Sequence, residues 1–306
     1  MFLLTQFIGV FVVNAYAPQT DPLTGEILKT SQLPFGLETP EDEPTPGFFS
    51  IVFAFALAFA IIFILMKYKW KMIIRIWFFL VITLALGIAI NALLKTSFIN
   101  SSIIALVIAI PLVALKIFKP NVYIHNATEL LIYPGIAAVF VPILTPISVI
   151  ALLLLISIYD MWAVWHSGIM QKMAKFQMEE LKIFGGFLIP SSSDKVKAQI
   201  AKIKQKYKGK KIPKKIKNKK YKINLAILGG GDVIFPIITA GVFMWAYPQQ
   251  ILFGIQGLIP ALFVIFGALL GLSSIFLFSQ KGKAYPAMPY ITTGILFGLL
   301  VWKLLI

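Results

Sequence analysis

The sequence predicts an all-α, polytopic membrane protein with nine transmembrane helices, and this follows from its composition and from the spacing of its apolar runs. Of the 306 residues, 59% are hydrophobic and only 13% are charged, and the mean hydropathy is +0.88. A soluble fold of this size needs a polar surface, which so few charged residues cannot form. A helix needs about 20 apolar residues to cross a hydrocarbon core of ~30 Å, and nine runs of roughly that length follow one another. A soluble enzyme is therefore excluded.

Each of the nine apolar runs is predicted to be a helix, because backbone groups in lipid must hydrogen-bond to one another. The first run is short and ends in Ala15-Tyr16-Ala17, which resembles a signal-peptidase site. It lacks a basic start, however, and Pro18 follows directly, so we expect a retained helix. In chain order the runs are 2–17, 48–66, 76–94, 103–118, 127–144, 146–165, 223–247, 251–278 and 285–305.

The basic residues predict the orientation. The formal net charge is +16, and 17 of the 28 basic residues lie between Lys172 and Lys222. If nine helices alternate in direction, 25 basic residues fall on one side and only Lys29, Lys95 and Lys303 on the other. Cytoplasmic loops accumulate Lys and Arg, so the amino terminus and the loop 166–222 are predicted to be cytoplasmic and the carboxyl terminus external. Such a basic run indicates an anionic lipid surface as partner rather than nucleic acid.

The charge pattern divides the chain into three parts. Residues 1–165 hold helices 1 to 6 and an acidic, proline-rich external loop, 18–47. The lysine-rich loop 166–222 follows, and residues 223–306 hold helices 7 to 9. Within the lysine-rich loop, 171–190 is predicted to lie on the membrane as an amphipathic segment and 191–222 to be a mobile linker. A docking arm and a plain solvated linker both remain open for this loop.

Several kinds of site are excluded by residue content. The chain has no cysteine, and its two histidines, His125 and His166, lack partners at ligand-like spacing. We therefore expect no metal and no cofactor. Three carboxylates fall within predicted helices: Glu129, Asp160 and Asp232. Glu129 is placed near the start of helix 5, where it would stabilise the helix dipole.

Asp160 and Asp232 are the candidates for chemistry, because an ionisable group within a membrane span is costly. We expect them at depths of ~7 Å and ~14 Å in the cytoplasmic halves of helices 6 and 7, facing each other. Two adjacent carboxyls share a proton, so one can act as base on a water while the other acts as acid. A transporter or ion leak channel could use the same aspartates as a proton or ion relay. Two aspartates alone do not distinguish such a relay from acid–base chemistry on a water.

The residues that flank the two aspartates distinguish between acid–base chemistry on a water and an ion relay. The chain has Tyr159-Asp160, Gly229-Gly230-Gly231-Asp232 and Pro286-Ala287-Met288. This resembles the presenilin and signal peptide peptidase family, whose members have Tyr-Asp in the sixth of nine helices, Gly-x-Gly-Asp in the seventh and Pro-Ala-Leu near the start of the ninth. Methionine stands here for that leucine. The prepilin peptidases share only Gly-x-Gly-Asp, so the third motif argues against them.

The resemblance implies a presenilin-like fold, of an archaeal type, and an intramembrane aspartyl protease with a transmembrane helix as substrate. Asp160 and Asp232 would be the catalytic pair. The flanking residues would contact substrate: Tyr159, Gly229, Gly230, Gly231, Pro286, Ala287 and Met288. Bare glycines let a substrate backbone approach, and prolines near the start of helix 9 would leave carbonyls free. A helical substrate must be extended before cleavage, so we expect an edge strand just before helix 7 or near Pro286.

Overall fold

The computed structural model describes residues 1–20, 27–29, 33–37, 48–68, 70–94, 101–119, 121–167, 185–191, 224–278 and 285–305. Nine α-helices lie within these residues, so the predicted helical membrane architecture is confirmed. The helices are α1 (Phe2–Ala15), α2 (Phe48–Lys67), α3 (Lys71–Leu94), α4 (Ser101–Phe118), α5 (Val122–Phe140), α6 (Pro146–Trp162), α7 (Gly230–Ala246), α8 (Leu258–Phe278) and α9 (Met288–Leu305).

In the part of the chain that the structure describes, six helical segments have the length and hydropathy of a membrane span. They are Lys71–Leu94, Ser101–Phe118, Val122–Ile143, Pro146–His166, Leu258–Ile275 and Met288–Leu305. The fifth helix extends through a 3-10 turn, Val141–Ile143, and the sixth through a π-helical turn, Ala163–Ser167. Helices α1 and α7 are shorter apolar helices. Large apolar side chains such as Ile103 remain exposed on these helices, as a lipid-facing surface requires.

Within the described residues, four short strands form two antiparallel pairs, of which the sequence predicted only a strand just before helix 7. Strands β1 (Gln19–Thr20) and β2 (Ile27–Lys29) pair after α1, and β3 (Gly186–Ser191) pairs with β4 (Asn224–Gly229). The expectation of a helix from residue 223 is thus wrong, as is that of an amphipathic segment over 186–190. A short apolar run before three glycines does not by itself distinguish strand from helix. The predicted linker lies outside the described residues, apart from Ser191.

Helix α1 is built into the core against α7. A Cβ on Gly9 would lie 2.4 Å from the Ile237 side chain, so the two helices touch where Gly9 has no side chain. The buried Gln6 amide donates a hydrogen bond to the Val233 carbonyl, with its Nε2 at 3.0 Å. This packing is what a retained first helix requires, and its retention stays a prediction.

Helices α8 and α9 meet along glycines on both sides. A Cβ on Gly267 would lie 2.3 Å from the Gly294 carbonyl oxygen, and one on Gly271 would lie 2.2 Å from that of Tyr290. Gly298 faces the carbonyl of Phe263 in the same way, at 2.3 Å. Glycine at these positions lets the two backbones come into contact, as in other close helix pairs in membranes. The start of α9 is therefore fixed by α8.

A buried ion pair joins α4 to α5. Lys116 Nζ lies 2.5 Å from Glu129 Oε1, and both side chains are almost fully buried. Glu129 lies about two turns into α5, so its main interaction is with Lys116 and not, as expected, with the helix dipole. Lys116 was counted among the 25 basic residues of the cytoplasmic loops, although the predicted run 103–118 contains it, and it belongs to the last turn of α4. A buried charge needs a paired partner, and each residue supplies it for the other.

Candidate active site

Asp160 lies near the end of α6 and receives backbone hydrogen bonds from the start of α9. It is 9% exposed, and the Met288 N–H donates to its Oδ2 at 3.0 Å. The Ala287 amide also donates toward this carboxylate. Met288 is the first residue of α9, so its amide has no partner within that helix and suits an anion. Amides of the third motif thus face Asp160, and the expectation that the prolines leave carbonyls free near the pair stays a prediction.

Asp232 is the third residue of α7. The expected depth of nine residues into a helix is therefore wrong, since the preceding residues form β4. Its carboxylate accepts a hydrogen bond from the N–H of Gly229, the residue that caps α7. This is the arrangement in which a carboxylate at the third helical position bonds back to the capping residue. A Cβ on Gly229 would lie 3.0 Å from Asp232 Oδ2, so glycine leaves room for the carboxylate.

The structure brings the two aspartates together at one end of the bundle. Helices α6 and α7 are in contact, and the carboxylates are near enough to interact electrostatically. One turn before Asp160, the Ser157 hydroxyl donates to Thr292 Oγ1 of α9 at 2.8 Å, which fastens α6 to α9. The three predicted motifs therefore converge from α6, from the β4–α7 junction and from the start of α9.

The other predicted site residues surround this point in different environments. A Cβ on Gly230 would lie 3.1 Å from the Tyr133 hydroxyl, whereas Gly231 is exposed and lacks a close neighbour on that side. Pro286 is buried and Ala287 is half-buried. Tyr159 is 45% exposed, with its ring centroid 6.3 Å from that of Trp162, so it is not a buried phenol. Contact of these residues with substrate stays a prediction.

The β3–β4 ribbon leads directly into the site, and α5 holds its β3 side. Gly186 is opposite Gly229 at the site end of the ribbon. The side-chain amide of Asn126 bonds both backbone groups of Leu188, at 2.8 Å to its carbonyl and 2.9 Å to its N–H. The His125 Nε2 atom lies 2.7 Å from the Gly186 carbonyl oxygen. The outer edge of β3 is thus occupied.

The opposite edge, on β4, follows from the register. In an antiparallel pair the N–H and C=O of one residue point to the same side, and the side alternates along the strand. Because Gly186 and Leu188 point away from β4, their partners Gly229 and Ile227 point away from β3. Leu225 continues this outer edge. The segment before helix 7, one of the two expected edge strands, is therefore a strand, whereas none is described at 285–287.

Sequence reasoning missed the residues of α5 that support the site. Tyr133 reaches Gly230 across a separation of about 100 residues, and His125 and Asn126 reach β3 from about 60 residues away. These polar residues fall on or near a predicted apolar helix and have no motif of their own. The one signal for these residues was that several polar side chains fall near one end of an otherwise apolar helix.

The amide of Met288 gives a direct test of how Asp160 is held. We expect Met288→Pro to lower kcat by about 10- to 100-fold, because it deletes one hydrogen bond to a carboxylate while proline is tolerated at the first position of a helix. Met288→Leu keeps the amide and conserves volume, so it should leave kcat within about twofold. Steady-state cleavage of a transmembrane peptide measures both. Equal loss in the two variants would show that the side chain, not the amide, matters.

The chain is similar to known membrane proteases in both sequence and fold. A family model described as signal-peptide peptidase, presenilin aspartyl protease matches residues 27–306. Two solved structures of a presenilin family intramembrane aspartate protease, in space groups P2 and C222, have TM-scores of 0.59 and 0.60 and are 20% identical. Both cover 100% of this chain, which covers 96% and 97% of theirs. No curated protein matches it significantly. The helical fold is thus similar to that of both structures.

Proposed function

Because this chain belongs to the signal-peptide peptidase and presenilin family of aspartyl proteases, we propose that Asp160 and Asp232 are the catalytic pair with which it cleaves peptide bonds inside transmembrane helices. The resemblance found in three short motifs is confirmed by this membership. The observation that carries the proposal is that the two carboxylates are near enough to interact, while the Met288 amide at the start of α9 bonds Asp160.

The pair supplies all the groups that peptide hydrolysis needs. One carboxylate takes a proton from a water, whose oxygen forms a bond to the carbonyl carbon of the substrate. The other, protonated carboxyl gives its proton to the developing oxyanion. When the C–N bond breaks, the leaving nitrogen takes the proton that the first carboxylate removed from the water. The second carboxylate takes back a hydroxyl proton from the adduct, so the acid and amine products depart and the pair returns to its starting state. The hydrogen bond from the Met288 amide holds the Asp160 carboxylate in place during these steps.

The substrate is proposed to be a single-span membrane protein or peptide that pairs with the outer edge of β4. A transmembrane helix hides its carbonyls, so the scissile segment must be extended, and an added strand is an economical way to hold it. The β3 edge is occupied by Asn126 and His125, which leaves Leu225, Ile227 and Gly229 for pairing. Pairing there would lead the substrate toward Asp232.

Two proline substitutions on neighbouring residues test this edge. We expect Ile227→Pro to raise KM or abolish cleavage while the protein stays folded, because only an outward N–H is lost. Ala226→Pro removes an N–H that faces β3, so it should weaken the ribbon itself and lower the melting temperature. Cleavage rates and thermal unfolding in detergent distinguish them. Normal cleavage by a folded Ile227→Pro variant would exclude this edge.

The function itself is tested with purified protein in liposomes and a single-span substrate, with products mapped by mass spectrometry. We expect cuts within the span that a hydroxyethylene peptide isostere inhibits, because that group imitates the tetrahedral adduct. The alternative is a transporter or ion leak channel that uses the same aspartates as a relay. Absence of any cut from a varied substrate panel, together with aspartate-dependent cation flux, would favour that alternative.

The orientation is proposed from the distribution of basic residues, with the lysine-rich loop 166–222 cytoplasmic and residues 18–47 outside. The abundance of lysine supports a prokaryotic, archaeal-type membrane as the location. Because the chain has no cysteine, one introduced cysteine reports accessibility without background. In intact cells an impermeant maleimide should label Thr39→Cys and spare Ser193→Cys. The reverse pattern would invert the orientation.

A further inference from the structure

Tyr133 carries a buried hydroxyl beside the proposed catalytic pair. The side chain is 2% exposed, and the hydroxyl makes no hydrogen bond of standard geometry with any residue that the structure describes. Its ring packs edge-on against Phe187 of β3, with centroids 5.5 Å apart. Buried hydroxyls almost always have a partner, so one without a partner beside an active site calls for a functional reason.

The hydroxyl lies over the first turn of α7, which carries Asp232. A Cβ on Gly230 would be 3.1 Å from the Tyr133 oxygen, so glycine is what allows this close approach. Two carboxylates lie near Tyr133: Glu129 contacts the hydroxyl without the geometry of a standard hydrogen bond, and Asp232 is near enough to interact electrostatically. Glu129 already has Lys116 at 2.5 Å. Asp232 is turned toward the N–H of Gly229 instead.

That N–H is a group for which a substrate would compete. Gly229 is opposite Gly186, whose carbonyl points away from β4 toward His125, so the backbone of Gly229 points outward as well. A strand that adds to β4 would place a carbonyl oxygen against the Gly229 N–H. One N–H cannot hold a substrate carbonyl and the Asp232 carboxylate equally well. Substrate pairing would therefore release the carboxylate from its own helix cap.

We propose that Tyr133 is a positioning residue for Asp232: when a paired substrate strand takes the Gly229 N–H, the Tyr133 hydroxyl donates a hydrogen bond to the freed carboxylate. The inference rests on the proposed function, since it needs both the catalytic pair and the β4 edge. It accounts for the hydroxyl that lacks a partner and for the bare Gly230 beneath it. It also couples substrate pairing to the placement of the carboxyl that must act on that substrate.

Tyrosine-to-phenylalanine substitution at two buried positions tests this role. Tyr133→Phe should lower kcat by about 10- to 100-fold, with KM within about twofold and little change in melting temperature, because its hydroxyl makes no hydrogen bond of standard geometry in the folded protein. Tyr16 is the matched control: it is 1% exposed, and its hydroxyl donates to the Ile88 carbonyl at 2.9 Å and accepts from Asn91 at 2.8 Å. Tyr16→Phe should lower the melting temperature and leave kcat unchanged.

The assay includes Asp232→Asn so that the two proposals can be separated. If wild-type protein does not cleave, or if Asp232→Asn cleaves normally, the proposed function is overturned. If those two behave as expected but Tyr133→Phe keeps kcat within twofold, only the role of Tyr133 is overturned. A Tyr133→Phe variant that loses melting temperature as Tyr16→Phe does would make the hydroxyl a structural group, which also overturns the role. Gly230→Ala, which crowds the hydroxyl, should lower kcat like Tyr133→Phe.

Discussion

Replacement of either Asp160 or Asp232 by asparagine should abolish cleavage, with kcat falling by at least about 10³-fold. An amide can neither take a proton from water nor give one to the oxyanion, so a single substitution removes half of the acid–base pair. The fold should survive, because an asparagine oxygen still accepts the hydrogen bonds from the Met288 and Gly229 amides. Product formation measured over long incubation gives the residual rate.

Asp194→Asn is the matched control for these variants, since it makes the same change in the lysine-rich loop. We expect its kcat to equal that of the wild-type protein. The melting temperatures of all three variants should lie close to the wild-type value. Cleavage at a rate within tenfold of wild type by a folded Asp160→Asn or Asp232→Asn variant would remove that residue from the catalytic pair.

The second large effect is expected from the contact between α8 and α9. A methyl group at Gly271 would lie 2.2 Å from the Tyr290 carbonyl oxygen, so Gly271→Ala must push the first turn of α9 away. We expect a loss of about 1 to 3 kcal/mol in stability from overpacking. We also expect the 3.0 Å hydrogen bond from Met288 to Asp160 to lengthen, and kcat to fall at temperatures well below unfolding.

Gly298→Ala separates packing from catalysis. Its methyl group would lie 2.3 Å from the Phe263 carbonyl oxygen, a similar overlap, but in the second half of α9, far along the helix from Met288. It should therefore lower the melting temperature about as much as Gly271→Ala and leave kcat nearly unchanged in the folded protein. Circular dichroism melts and cleavage rates measure the two effects. Equal loss of kcat in both variants would show that α9 transmits strain along its whole length.

The sequence was sufficient to predict the helices and to identify the two aspartates within apolar runs, because both depend on local signals. Apolar runs of membrane length identify helices directly, and a carboxylate such as Asp160 is conspicuous inside one. The position of Asp232 along its helix was not predictable from such local signals. Whether Asn224–Gly229 forms a strand or a helical turn depends on β3, which lies about 40 residues away in the chain and supplies the hydrogen bonds of the pair.

Contacts between distant residues account for the other errors. Lys116 was assigned to a loop because charge is normally excluded from a span, and only its pairing with Glu129 makes burial tolerable. The motif at 286–288 was expected near the pair, but the contact of the Met288 amide with Asp160, 128 residues away, was not predicted. A motif thus indicated which residues meet but not which atoms they present.

The pairing of β3 with β4 brings the two ends of the segment 192–223 next to each other. Ser191 is paired with Asn224, so the residues between them leave and return at almost the same point. Such an excursion places little restriction on its own length, since each doubling of a flexible loop costs only about 0.6 kcal/mol. Insertion, shortening or nicking of this stretch would leave the strands and both aspartates in register. The protein should therefore tolerate division at this stretch into two polypeptides, which β3 and β4 would hold together.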